Sequence, residues 1–132
     1  MRVRLLAAIA VALSAAACGD EFLDGSIAAI TVHGQVRTAA GDPVSDATVR
    51  LNVMFGDEGF HTHTTDTTDA AGAYGEVIWN WGTRFVVDLQ IVAEPPVGSG
   101  LQPDTTLRQD VVLNGDGSPD SLRVDLVLEP SP

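Results

Sequence analysis

From Ile27 onward, apolar side chains recur at every second position. Ile30, Val32, Gly34 and Val36 alternate with Thr31, His33 and Gln35, and Ala47, Val49, Leu51, Val53 and Phe55 alternate with Thr48, Arg50 and Asn52. Val77, Trp79 and Trp81 share one face. Phe85, Val87, Leu89 and Ile91 share another, followed by Leu107, Gln109, Val111 and Leu113. Leu122, Val124, Leu126 and Leu128 close the chain in the same way. A period of two sends successive side chains to opposite faces of a strand, one toward a core and one toward water. The threonine-rich run from Phe60 to Thr67 predicts a polar strand. Together these segments predict an all-β fold, an antiparallel Greek-key-type sandwich of about seven strands. Turn formers fall between them at Gly41-Asp42-Pro43, Asp69 to Gly72, Glu94 to Gly100 and Asn114 to Pro119. The span from Glu94 to Asp104 is the longest irregular connection.

The first residues follow a different rule. Arg2 and Arg4 precede an apolar run from Leu5 to Ala17, which is too short to span a bilayer and reads as a signal-peptide core. Ala15-Ala16-Ala17-Cys18 resembles a bacterial lipobox with alanine in place of the usual leucine. That resemblance implies lipidation of Cys18 and attachment to the membrane through the N-terminal lipid. The expected organisation is a signal peptide over 1–17, a tether over 18–26 and one domain over 27–130. The expected location is the bacterial cell envelope, facing the periplasm or the cell surface.

Composition narrows the function classes. Cys18 is the only cysteine, so the domain holds no internal disulfide and depends on packing. The chain has no lysine, and removal of Arg2 and Arg4 leaves five arginines against 18 acids, a formal charge of −13. Such a surface repels phosphate backbones, which argues against nucleic-acid binding.

Two segments carry a family resemblance. "VHGQVRTAAGDPVSDATVRL" followed by "TTDAAGAY" resembles the carboxypeptidase regulatory-like domain, a transthyretin (prealbumin)-like β-sandwich. The matching positions are Val32, Gly34, Val36, Gly41, Pro43, Val44, Ala47, Val49, Leu51, Thr68, Asp69, Gly72 and Tyr74, while Asp46 stands where that pattern has glycine. Physical reasons underlie the pattern. Pro43 pre-sets φ in a turn, Asp69 accepts backbone N–H groups, Gly72 supplies φ > 0, and Tyr74 returns the chain to the core with its hydroxyl at a wet edge. The resemblance implies a non-catalytic domain with a structural or interaction role toward an envelope protein or glycan. No cofactor is expected.

Three groups of residues are candidates for chemistry. His61 and His63 are two apart on a strand, a two-ligand spacing for zinc or copper, with His33, Asp57, Glu58 or Asp66 as a third donor if the fold brings one near. A solvated strand face explains the same residues. Asn114, Asp116 and Asp120 resemble the oxygen donors of a short calcium loop, but no bidentate glutamate follows, and a hairpin loop explains them equally. Trp79 and Trp81 either form a stacking platform for a sugar or, in a chain with so few aromatics, fill the core; the core is expected. Catalysis finds little support, since no serine sits in a nucleophile elbow. Among enzymes on transthyretin-like folds, hydroxyisourate hydrolases end in Tyr-Arg-Gly-Ser, and this chain ends Leu-Glu-Pro-Ser-Pro. Intradiol dioxygenases hold iron with two tyrosines and two histidines, and Tyr74 is the only tyrosine here. A binding module for calcium, a transition metal or carbohydrate is the alternative function.

Overall fold

The computed structural model describes residues 27–115 and 121–132. Its elements are β1 (Ile27–Thr38), β2 (Thr48–Met54), β3 (His61–Thr67), β4 (Ala73–Trp81), β5 (Arg84–Glu94), β6 (Asp104–Asn114), β7 (Ser121–Arg123) and β8 (Leu126–Leu128). No helix is found among the described residues.

The strands pair in the order β3-β2-β5-β6-β1-β4, all antiparallel. β7 and β8 add to β1 in parallel. The link between β6 and β1 is a single opposed pair, Ala29 and Asn114. There the sheet folds over, so that β3-β2-β5-β6 faces β4-β1 and its short additions across one core. The product is an all-β sandwich that nearly closes into a barrel.

The alternation decides what lies inside. β1 buries Ala28, Ile30, Val32 and Val36, β2 buries Val49, Leu51 and Val53, and β5 buries Val87, Leu89, Ile91 and Ala93. Each Leu or Ile so buried contributes roughly 1.5–3 kcal/mol before entropy is counted. Two departures interrupt the period. Opposite Val87 and Leu89 stand Val111 and Arg108, so Gln109 and Asp110 together face the single residue Asp88 and β6 carries one extra residue in a bulge. Asp110 there takes φ 56° and donates its N–H to Asp88 Oδ1 at 3.0 Å. The bulge moves Leu107 off the core face, where the alternation had placed it, and leaves it exposed. The uniform run from Leu122 to Leu128 is likewise split at Val124 and Asp125 into β7 and β8.

That split is locked to β1. At Gly34 the approach is so close that a Cβ would lie 1.9 Å from the Val124 carbonyl oxygen. The same oxygen accepts the Tyr74 hydroxyl at 2.5 Å, and Val124 N–H donates to the His33 carbonyl. The Tyr74 hydroxyl is thus buried rather than at a wet edge, and burial, helped by the nearby Asp125 charge, pushes its pKa far above that of a free tyrosine. Asp125 accepts the Gln35 N–H and the Arg123 guanidinium. Burial alone would raise its carboxyl, but these donors outweigh it and hold it below the ordinary range.

The turns behave as their residues require. Asp69 Oδ1 accepts the N–H groups of Ala71 and Ala73. Gly72 adopts φ 75° with the Val36 carbonyl 2.4 Å from where a Cβ would stand. Asp46 adopts φ 59°, the left-handed region that glycine takes most easily.

Candidate functional site

β3 and β4 are consecutive in sequence yet form the two outer edges of the sheet. The folding-over brings these edges together without a backbone ladder between them. Side chains of β3 bridge the gap instead. Asp66 Oδ2 accepts the Gly75 N–H at 2.9 Å, and His63 Nε2 accepts the Trp79 N–H at 3.3 Å.

A bulge accompanies the second bridge. Asn52 stands opposite Thr62 and Leu51 opposite Thr64, so His63 has no opposed residue on β2. An extra residue bends a strand locally and re-aims its side chain. The His63 ring meets the Trp79 indole edge to face, with centroids 6.3 Å apart and planes at 83°. Trp79 in turn meets Trp81 at 5.7 Å and 90°. Three rings therefore form a herringbone across the seam.

This cluster lies on the outside. Trp79 is 42% and Trp81 54% exposed, with Val77 and Ile27 equally open beside them. The opposite face of β4 carries Tyr74 and Ile78 into the core. The expectation that Trp79 and Trp81 fill the core is therefore reversed. The register with β1 decides it: Ile78 stands opposite Ile30 and Tyr74 opposite Gly34, all inward, while Trp79 opposes Ala29 and Trp81 opposes Ile27 on the outer face.

Among the described residues the histidine pair finds no third ligand: no three His, Cys, Asp or Glu side chains there converge on a point that could hold a metal ion. The bulge breaks the period of two that was to put His61 and His63 on one face; His61 is exposed at the start of β3, while His63 is turned to Trp79. Asp66 is occupied by the Gly75 and Thr67 N–H groups. Of the calcium candidates, Asn114 ends β6, and Asp116 and Asp120 lie outside the described residues. The herringbone itself was missed, because its signal needs the pairing of two sheet edges that are far apart in strand order.

No family model matches the chain, and no curated protein matches it. Solved structures do. Chlorocatechol 1,2-dioxygenase from Pseudomonas putida superposes with a TM-score of 0.56 at 12% identity, over 78% of this chain and 61% of that one. The dioxygenase domain of a dioxygenase and carbohydrate-binding protein fusion from Streptomyces sp. SirexAA-E gives 0.53 at 17% identity, over 79% and 81%. Catechol 1,2-dioxygenase from Acinetobacter sp. ADP1 gives 0.53 at 12%, over 81% of this chain and 53% of that one. The chain thus spans a little over half the length of the chlorocatechol and catechol 1,2-dioxygenases.

These matches correct the family reading. The likeness runs to intradiol dioxygenases and not to the carboxypeptidase regulatory-like domain. The turns at Pro43, Asp69 and Gly72 that carried the resemblance are demands of turn geometry in any such sandwich. The assignment as a non-catalytic, non-enzymatic structural domain rested on that resemblance and is withdrawn with it. The carboxypeptidase regulatory-like label goes too, and the matches lend the signal-peptide and lipoprotein labels no support. At such low identity the likeness establishes the fold. The iron that this fold family implies does not fit the residues described: the sole tyrosine is buried with its hydroxyl committed to Val124, and no histidine lies in a cluster of three donors.

Proposed function

We propose that this domain recognises a planar aromatic ring on the outer face of β4. The observation that carries the reading is the perpendicular Trp79–Trp81 pair, open to solvent on a strand whose other face is the core. Two indoles at right angles offer one face and one edge to a third ring, the arrangement aromatic groups prefer. A pyranose ring is puckered and stacks on one aromatic face at a time, so a paired face and edge suit a planar aromatic ligand better than a glycan. The strongly acidic surface disfavours a carboxylated ligand. The structural neighbours named for chlorocatechol and catechol act on ring compounds, which supports the same class.

The test is a tryptophan-fluorescence titration with catechol. A solvent-exposed two-ring site predicts saturable quenching with Kd of order 1 mM, about 4 kcal/mol of binding free energy. Trp79→Ala and Trp81→Ala should each abolish it. Linear, unsaturating quenching, or binding retained in both variants, refutes the reading.

Location is a separate proposal, supported by the leader residues alone. On it, the chain is exported and held at the cell envelope through lipid on Cys18. Cys18→Ser should then release the protein from the membrane fraction, and unchanged partitioning would refute the anchor.

A further inference from the structure

We infer that His63 is a pH-responsive positioning residue: neutral, it fastens β4 to β3 at Trp79, and protonated, it releases the strand there. The seam has two fasteners of different chemistry. At Gly75 the acceptor is a carboxylate, Asp66, whose oxygens keep acceptor lone pairs whether or not a proton is bound. At Trp79 the acceptor is an imidazole nitrogen. An imidazolium has no lone pair at Nε2, so protonation turns acceptor into donor and sets two N–H groups against each other.

The surroundings favour the neutral ring. The titratable or charged side chains on the elements around His63 are His61 and Asp66 on β3, Tyr74 and Glu76 on β4, and Arg50 on β2. Asp66 is engaged by main-chain N–H groups, Arg50 pairs with Glu94, and the Tyr74 hydroxyl is turned to Val124. His33 on β1 stands opposite Gly75 rather than Trp79. The ion pairs among the described residues, Arg50 with Glu94 and Arg123 with Asp125, do not include His63. Partial burial therefore acts unopposed and lowers the His63 pKa below its ordinary 6.5. Because the folded value lies under the unfolded one, the fastening is fully present above 6.5 and is lost as pH falls through the lower folded value.

The consequence falls on the herringbone, since Trp79 is held both by its N–H and by ring contact with His63. That ring recognition should weaken in acid rests on the function proposed above; the seam device does not. Both are separable by NMR on the purified full chain between about pH 7.5 and 4.5. Amide exchange at Trp79 should lose about tenfold protection as the His63 imidazole titrates, while Gly75, held by Asp66, keeps its own. His63→Gln supplies an acceptor that does not titrate, so Trp79 should stay protected in acid. Trp79 protection that ignores His63 titration, or that falls identically in the Gln variant, overturns the inference. Should His63→Gln fold poorly, the residue-resolved titration of the unaltered chain still decides. A catechol titration at both pH values completes the test, with affinity expected to fall several-fold in acid. No binding at either pH, with Trp79 still tracking His63, sinks only the ring reading; equal binding at both sinks the control of that site.

Discussion

Two joints hold β4 in place, and they are built differently. On one side β4 runs against β1 in register from Ile27–Trp81 to Gln35–Ala73, and at its Tyr74 end β1 is clamped by the Val124 segment. That joint is backbone against backbone, with a buried hydroxyl and an approach that only glycine at 34 permits. On the other side β4 meets β3 through two side-chain acceptors, Asp66 and His63. A ladder repeats every two residues and fails as a unit, whereas a side-chain bridge is local and takes on the chemistry of its acceptor. The first joint therefore fixes the fold. The second leaves an edge that can respond to conditions, and the exposed rings sit beside it.

Breaking the rigid joint should have the largest effect. Gly34→Ala forces backbone apart at Val124, and we expect a loss of at least about 4 kcal/mol in urea denaturation, or failure to fold. Tyr74→Phe leaves the Val124 carbonyl without its hydroxyl partner, costing about 1–3 kcal/mol in the same assay. Tyr74 also gives this joint an alkaline signature. Its folded pKa is raised, so its contribution is complete below the unfolded value of 10.0 and declines as pH rises beyond it. Absorbance at alkaline pH should show phenolate appearing only with unfolding; ionisation in the folded protein would contradict the buried hydroxyl.

Smaller effects belong to the seam. Asp66→Ala should cost about 1 kcal/mol and raise amide exchange at Gly75 more than at residues of β1. A loss as large as that of Gly34→Ala would erase the distinction between the joints. Smallest of all in stability, within about 0.5 kcal/mol, should be Trp81→Ala, an exposed position whose loss is felt only in ring binding. A large drop in melting temperature for that variant would mean that the outer face supports the fold after all.

Most strands were legible because their inward residues repeat on a period of two: β1, β2 and β5 bury the residues their alternation marks. β4 was read inside out. Its inward set, Tyr74, Glu76, Ile78 and Asn80, includes two polar residues, and its outward set, Val77, Trp79 and Trp81, is wholly apolar. Local pattern therefore favoured the wrong face. Glu76 and Asn80 are tolerated inward because β4 is an edge strand, and both remain half-buried rather than sealed. The bulges at His63 and Asp110 were invisible for a related reason: an extra residue is defined against a partner strand, and a single segment does not name its partner.

The amino-acid order alone determined that the chain would build strands, where most turns would fall and which residues of β1, β2 and β5 would be buried. These depend on neighbours two to four residues away, through side-chain alternation and the φ preferences of glycine, proline and aspartate. The tertiary structure decided which face of β4 is wet, how His63 is aimed and how the Tyr74 hydroxyl is spent. Each of those follows from pairing between segments distant in the chain, where register, not local hydrophobicity, selects the side that meets the core.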